Sequence, residues 1–175
     1  IPHFAFDSDM RSRPRSTWRV HPDLDPAAIK DSVLGVRESR DSDEHPDSRS
    51  IGVIFDVTGS MGSIPVVLQE KLGNLMTYLM VKGGIEHPQV LMGGVGDATC
   101  DRVPLQVSQF ESDNRIDENL RKFVLEGGGG GSMQESYELA LYFAARMTAS
   151  DCYEKRGEKG YLFLIGDEMP YETVR

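Results

Sequence analysis

Asp56, Thr58 and Ser60 put one carboxylate and two hydroxyls on alternate residues of a single short segment, Asp56-Val57-Thr58-Gly59-Ser60-Met61-Gly62. A tight loop can aim all three at one centre, and Gly59 and Gly62 let the backbone turn sharply enough to do so. Carboxylate and hydroxyl oxygens are hard donors. They suit Mg2+, or Mn2+ or Ca2+, and not zinc. Two more acids follow short apolar runs: Asp97 after residues 90–95 and Gly96, and Asp167 after residues 161–165 and Gly166. Such residues also have plain structural uses. Asp56 and Ser60 can cap the helix that follows, a role compatible with coordination, and Asp97 and Asp167 can shape turns beside their glycines. Asp97 is read first as a turn residue.

The elements that must position these acids are visible as patterns. Ile51-Gly52-Val53-Ile54-Phe55 is a β-branched apolar run and predicts a buried strand ending at Asp56. Ser63 can cap a helix with Pro65 in its first turn, and Ile64, Leu68, Leu72, Leu75 and Leu79 fall on one apolar face. Gly83-Gly84 ends it. Residues 90–95 predict a second buried strand, and 103–107 a third, which Pro104 assigns to a sheet edge. Ile116, Leu120 and Val124 give a short helix face; five glycines at 127–131 follow, and Met133, Tyr137, Leu141 and Ala144 mark a further helix. Residues 161–165 predict a last buried strand. Apolar strands alternating with amphipathic helices predict an α/β fold: a doubly wound, mostly parallel sheet with helices on both faces. Ligands of such sheets bind beyond the carboxyl ends of the strands, where Asp56, Asp97 and Asp167 all stand. A doubly wound sheet continues past the Asp167 strand, so the fold is expected to be incomplete at its C-terminal end.

Residues 1–49 are different: rich in Asp, Arg, Ser and Pro, with scattered apolar positions. They read as a polar, extended arm or linker with a short helix near 26–34, preceding a domain over 50–175. Trp18 is either an anchor for a neighbouring protein or a cover for the chain's own core. The formal net charge of −9 and pI near 4.9 argue against nucleic acid as a partner, since phosphate neutralisation needs a basic surface. No apolar run reaches the roughly 18 residues of a membrane span. Cys100 and Cys152 lack metal-ligand spacing and are expected as free thiols, and no leader pattern is present, so a cytoplasmic location is expected. His3, His21, His45 and His87 do not pair at ligand spacing and are read as surface residues.

The segment Asp56-x-Thr58-x-Ser60 after an apolar strand resembles the metal-ion-dependent adhesion site of von Willebrand factor A (vWA) domains. The family's first motif is Asp-x-Ser-x-Ser; Thr58 departs from it but keeps the hydroxyl. The glycine run followed by Ser132-Met133-Gln134-Glu135-Ser136 resembles the second ligand loop, which opens a helix, and Leu164-Ile165-Gly166-Asp167 resembles the third. Ser132, Glu135 and Ser136 remain alternatives at the second loop: helix register favours Glu135, hydroxyl chemistry favours either serine. The resemblance covers residues 50–170 approximately. It implies a Rossmann-like vWA fold, Mg2+ as the cofactor, and a ligand set drawn from Asp56, Thr58, Ser60, Ser132, Glu135 and Asp167. It further implies a protein-binding module, not an enzyme, that captures a partner's Asp or Glu on the metal. AAA+ ATPases and other multiprotein assemblies are partners the family suggests. A metal-free scaffold domain is the alternative from another class. A Mg2+-dependent phosphotransferase using Asp56 would need a cation at the site for the phosphoryl group, and the loops supply no obvious lysine. A P-loop would need Gly-Lys-Ser/Thr, and in aspartic proteases the Asp directly precedes Thr, whereas Val57 intervenes here.

Overall fold

A computed structural model describes residues 5–31, 35–61, 63–126 and 134–172; within these, the side chains of Lys30, Asp31, Ser60, Ile64, Pro65, Gln69 and Leu72 lie outside what is described. The chain is mixed α/β. Helix α1 spans Ala5–Arg11 and strand β1 Arg37–Ser39. Then come β2 (Arg49–Asp56), α2 (Ile64–Val81), β3 (Pro88–Val95), β4 (Leu105–Val107) and α3 (Arg115–Leu120). The chain continues with β5 (Gln134–Glu135), α4 (Tyr137–Arg146), β6 (Thr148–Ser150), α5 (Asp151–Glu154), β7 (Tyr161–Ile165) and β8 (Met169–Pro170).

The main sheet runs β4-β3-β2-β7. Strand β2 pairs in parallel with β3 and with β7, and β4 joins β3 antiparallel as an edge. The mostly parallel sheet follows from the sequence, because β2 and β3 are nearly continuous apolar runs that need cover on both faces. On one face Ile51, Val53, Phe55, Val90 and Met92 pack with Leu68, Leu75 and Leu79 of α2 and Ile116 and Leu120 of α3. On the other, Ile54 and Val95 meet Tyr137 and Ala140 of α4, and Leu91 and Val107 meet Phe143. Helix α2 begins after Ser63 with Pro65 in its first turn, although Ser63 makes no side-chain cap. It ends where Gly83 and Ile85 donate back to Tyr78 and Leu79, and Gly84 takes φ 64°, a left-handed value that glycine adopts without penalty.

Three expectations are corrected. Strand β7 forms as predicted but is not buried: Tyr161, Leu162, Phe163 and Leu164 are 37–51 % exposed. Among the described residues it pairs only with β2, so its outer side is an edge. An apolar run reports that a strand is apolar, not which of its sides is covered. The short helix at 116–124 closes at Leu120, and Val124 is buried beyond it. The segment before residue 49 is not an extended arm. Met10, Leu24 and Ile29 are buried, and β1 pairs in parallel with β6. The helix expected near 26–34 is a 3-10 turn at Ala28–Asp31, with 32–34 outside the described residues. Trp18 packs against Met10, Val103 and Val124 and donates its indole N–H to the Arg13 carbonyl, so it covers the chain's own core. Neither cysteine is in a disulfide; Cys152 is buried and Cys100 partly so. No helix among the described residues is long and apolar enough to cross a membrane.

Candidate metal centre

Asp56 ends β2 at the carboxyl edge of the sheet and is fully buried. The chain turns directly after it through a 3-10 turn at Gly59–Met61. This folds Thr58 back so that its backbone N–H (2.7 Å) and its hydroxyl (2.5 Å) both donate to Asp56 Oδ1. The Tyr137 hydroxyl, from the start of α4, donates to Oδ2 at 3.2 Å. Three donors on its two oxygens hold the carboxylate in one orientation. The Thr58 hydroxyl is buried beside it.

The second and third ligand loops are brought together by a pairing too short to show in the sequence. Strand β5 pairs with β8, setting Gln134 opposite Met169 and Glu135 opposite Pro170. This holds Glu135 at 4 % exposure, with Oε2 buried and without a hydrogen-bond partner. Burial raises the Glu135 carboxyl to about 8, and the negative charges of Asp56, Asp101, Asp97 and Glu168 add to the rise. Burial, with the neighbouring Asp56, also pushes the Tyr137 phenol up. Ser136 faces elsewhere: its Oγ accepts the Ala98 N–H at 3.0 Å, and its N–H donates to the Gly96 carbonyl. Of the alternatives at the second loop, Glu135 therefore stands among the acids around Asp56 while the Ser136 hydroxyl braces the Asp97 loop. Ser132, the glycines at 127–131, Met133 and Gly62 lie outside the described residues.

Asp97 is buried and works as a turn residue. Its Oδ1 accepts the Thr99 N–H and hydroxyl at 2.8 and 2.7 Å; its Oδ2 accepts from Cys100 Sγ and from the Tyr171 hydroxyl at 2.9 Å. Asp167 lies exposed in the turn after β7. Beside it, Glu168 contributes a backbone N–H to the Tyr137 hydroxyl. The same hydroxyl explains Gly166, where a Cβ would come within 2.0 Å of Tyr137 Oη. Sequence reasoning treated Tyr137 only as part of an apolar helix face. It also missed Asp101 and Glu126, whose side chains are buried at 0 and 1 % exposure and share Arg15 at 3.0 and 3.2 Å. Arg15 comes from a segment more than eighty residues away in the chain, so no local spacing announces it.

Among the described residues no three His, Cys, Asp or Glu side chains stand close enough together to hold a metal ion by themselves. The arrangement offers instead two buried carboxylates, Asp56 and Glu135, and the Thr58 hydroxyl.

No protein-family model matches the chain, and no curated protein matches it. Among solved structures, it is similar to the pilus adhesin SpaC from Lactobacillus rhamnosus GG in its open conformation, at 14 % identity and a TM-score of 0.47. That match covers 72 % of this chain and 15 % of the adhesin chain.

Proposed function

We propose that the chain carries a vWA-type, doubly wound domain whose adhesion-type site holds a divalent cation, Mg2+ first and Mn2+ or Ca2+ as alternatives, and uses it to bind a protein partner. The observation that carries this reading is Glu135. A buried, unpartnered carboxylate oxygen, its carboxyl raised first by burial and then by three aspartates and a glutamate, marks a place short of positive charge. The donors fit a hard cation: Asp56, Thr58 and Glu135 offer only oxygen, at the strand ends where α/β sheets bind ligands. Ser60, Ser132 and Asp167 complete the proposed set, Asp167 through water because it is exposed.

When bound, the cation supplies an electrophilic centre for a partner's Asp or Glu carboxylate. The chain's own residues prepare for that. Thr58 and Tyr137 hold the Asp56 carboxylate in one orientation. The β5–β8 pairing fixes Glu135 toward it. Few direct carboxylates leave the attraction for a partner's carboxylate largely unspent. A partner of this kind suits an adaptor in a multiprotein assembly, with AAA+ ATPases as the first class to try. Phosphoryl transfer on Asp56 is disfavoured because the loops supply no obvious lysine for the phosphoryl group.

Calorimetric titration of Mg2+, Mn2+ and Ca2+ into the protein, beside Asp56→Ala and a chelator-treated control, tests the reading. Saturable binding that disappears in the variant is expected. A folded wild type that takes up none of the three ions, or an Asp56→Ala variant that binds as well as wild type, would overturn it.

A further inference from the structure

His45 and His87, 42 residues apart in sequence, face each other at the opposite end of the sheet from Asp56, with their Nδ1 atoms 3.4 Å apart. This corrects the expectation of unpaired surface histidines. The ring centroids are 5.5 Å apart at an interplanar angle of 69°, so the two nitrogens are turned toward each other. Both residues are half-buried. Their backbones are fixed independently. His45 closes a turn with Ser42 through reciprocal backbone hydrogen bonds of 3.0 and 3.1 Å, and the His87 carbonyl accepts the Arg49 N–H at 2.9 Å. The far nitrogen of His45, Nε2, is 2.9 Å from Ser112 Oγ.

A separation of 3.4 Å is long for a hydrogen bond, whose usual range ends near about 3.2 Å. It matches another geometry. Two imidazole nitrogens at about 2.0–2.1 Å from one tetrahedral ion are held about 3.4 Å apart. The Ser112 contact selects the fitting tautomer: if Nε2–H of His45 donates to Ser112 Oγ, the Nδ1 lone pair points at the shared space. This is the outer hydrogen bond that metal-bound histidines carry.

We propose that His45 and His87 form a two-nitrogen site for a divalent transition metal of the class that prefers imidazole, Zn2+, Ni2+ or Cu2+. The site is separate from the oxygen-lined centre at Asp56 and does not depend on it. Among the described residues no third His, Cys, Asp or Glu completes it, so water fills the remaining positions. His87, on its side away from the core, borders a 410 Å3 cleft lined also by Asp47, Glu86, Glu158, Arg49 and Arg156. The ion would staple the 42–45 turn to the segment that leads into β3 and, through Ser112, to the loop before α3.

Zn2+ is titrated calorimetrically into wild type, His45→Gln, His87→Gln, Ser112→Ala and Asp56→Ala. The difference between proteins is read, because the Cys100 thiol and the acidic surface also take up zinc. The expected result is a tight equivalent lost in each His variant, weakened about tenfold in Ser112→Ala, and unchanged in Asp56→Ala. Retention of that equivalent in either His variant, or its loss in Asp56→Ala, overturns the proposal. The electron paramagnetic resonance spectrum of wild type with one equivalent of Cu2+ gives a reading free of any variant's folding. Hyperfine structure from two imidazole nitrogens is expected, and one or none contradicts the site.

Discussion

Glu135 carries the largest electrostatic strain at the candidate site. Its value of about 8 in the fold stands above the ordinary 4.5, so folding takes up a proton between these values. The metal-free protein therefore loses stability as pH rises through that window and not below it. Glu135→Gln removes the titration. Its metal-free melting temperature is expected to exceed that of wild type above about pH 8 and to converge with it below about pH 4; equal melting throughout would contradict the assignment. Gly166 makes a second residue-scale case. A Cβ there would meet Tyr137 Oη at 2.0 Å and Cζ at 2.6 Å, forcing the ring away from Asp56. Gly166→Ala is expected to cost about 1–3 kcal/mol in urea unfolding, and less in a Tyr137→Phe background. Strict additivity of the two changes would show that the residues do not meet.

Among the elements, β2 does most to place the site, since it delivers Asp56 and is covered on both faces. Phe55, fully buried and with its ring centroid 5.4 Å from that of Phe123, locks it to the segment that follows α3. Phe55→Ala is expected to lower unfolding free energy by about 3–5 kcal/mol; a loss under about 1 kcal/mol in urea denaturation would mean the strand is not held there. The long elements were legible from sequence because they bury one face or two at a regular period: β2, β3, α2 and α4 stand where apolar runs and helical spacing put them, and Pro104 marked the β4 edge. Elements of two or three residues, such as β1, β5, β6 and β8, are too short to carry a period. Their pairing depends on distant partners, which is why the zipper that brings Glu135 to Asp56 was invisible. The contact between Asp56 and Thr58 was legible because the two residues are neighbours in the chain. Arg15, Tyr137 and the His45–His87 pair were not, because they reach their sites by tertiary packing alone.

At the scale of the whole molecule, the described residues before 50 pack as part of the domain. Met10 packs with Val103 and Val124, Leu24 enters the main core, and Arg15 spans Asp101 and Glu126. In a chain of net charge −9, this guanidinium is the counter-charge for two acids with almost no access to water. Arg15→Ala removes the charged partner of both, leaving Asp101 with the Asp97 N–H and Glu126 with the Arg102 and Val103 N–H groups. Because Arg15 is itself 41 % exposed, the cost is screened and is expected at about 1–3 kcal/mol, with Arg15→Lys recovering part of it. An unchanged midpoint in urea would show that the segment only drapes over the domain.

The proposed function requires a cation beside Asp56 and Glu135, and diffraction from crystals grown with Mn2+ would locate it directly. An anomalous peak bonded to oxygens of Asp56, Thr58 or Glu135, absent from Asp56→Ala crystals, is the predicted result. Well-ordered wild-type crystals with no peak at these residues, or with manganese bound only elsewhere, would contradict the metal-dependent reading.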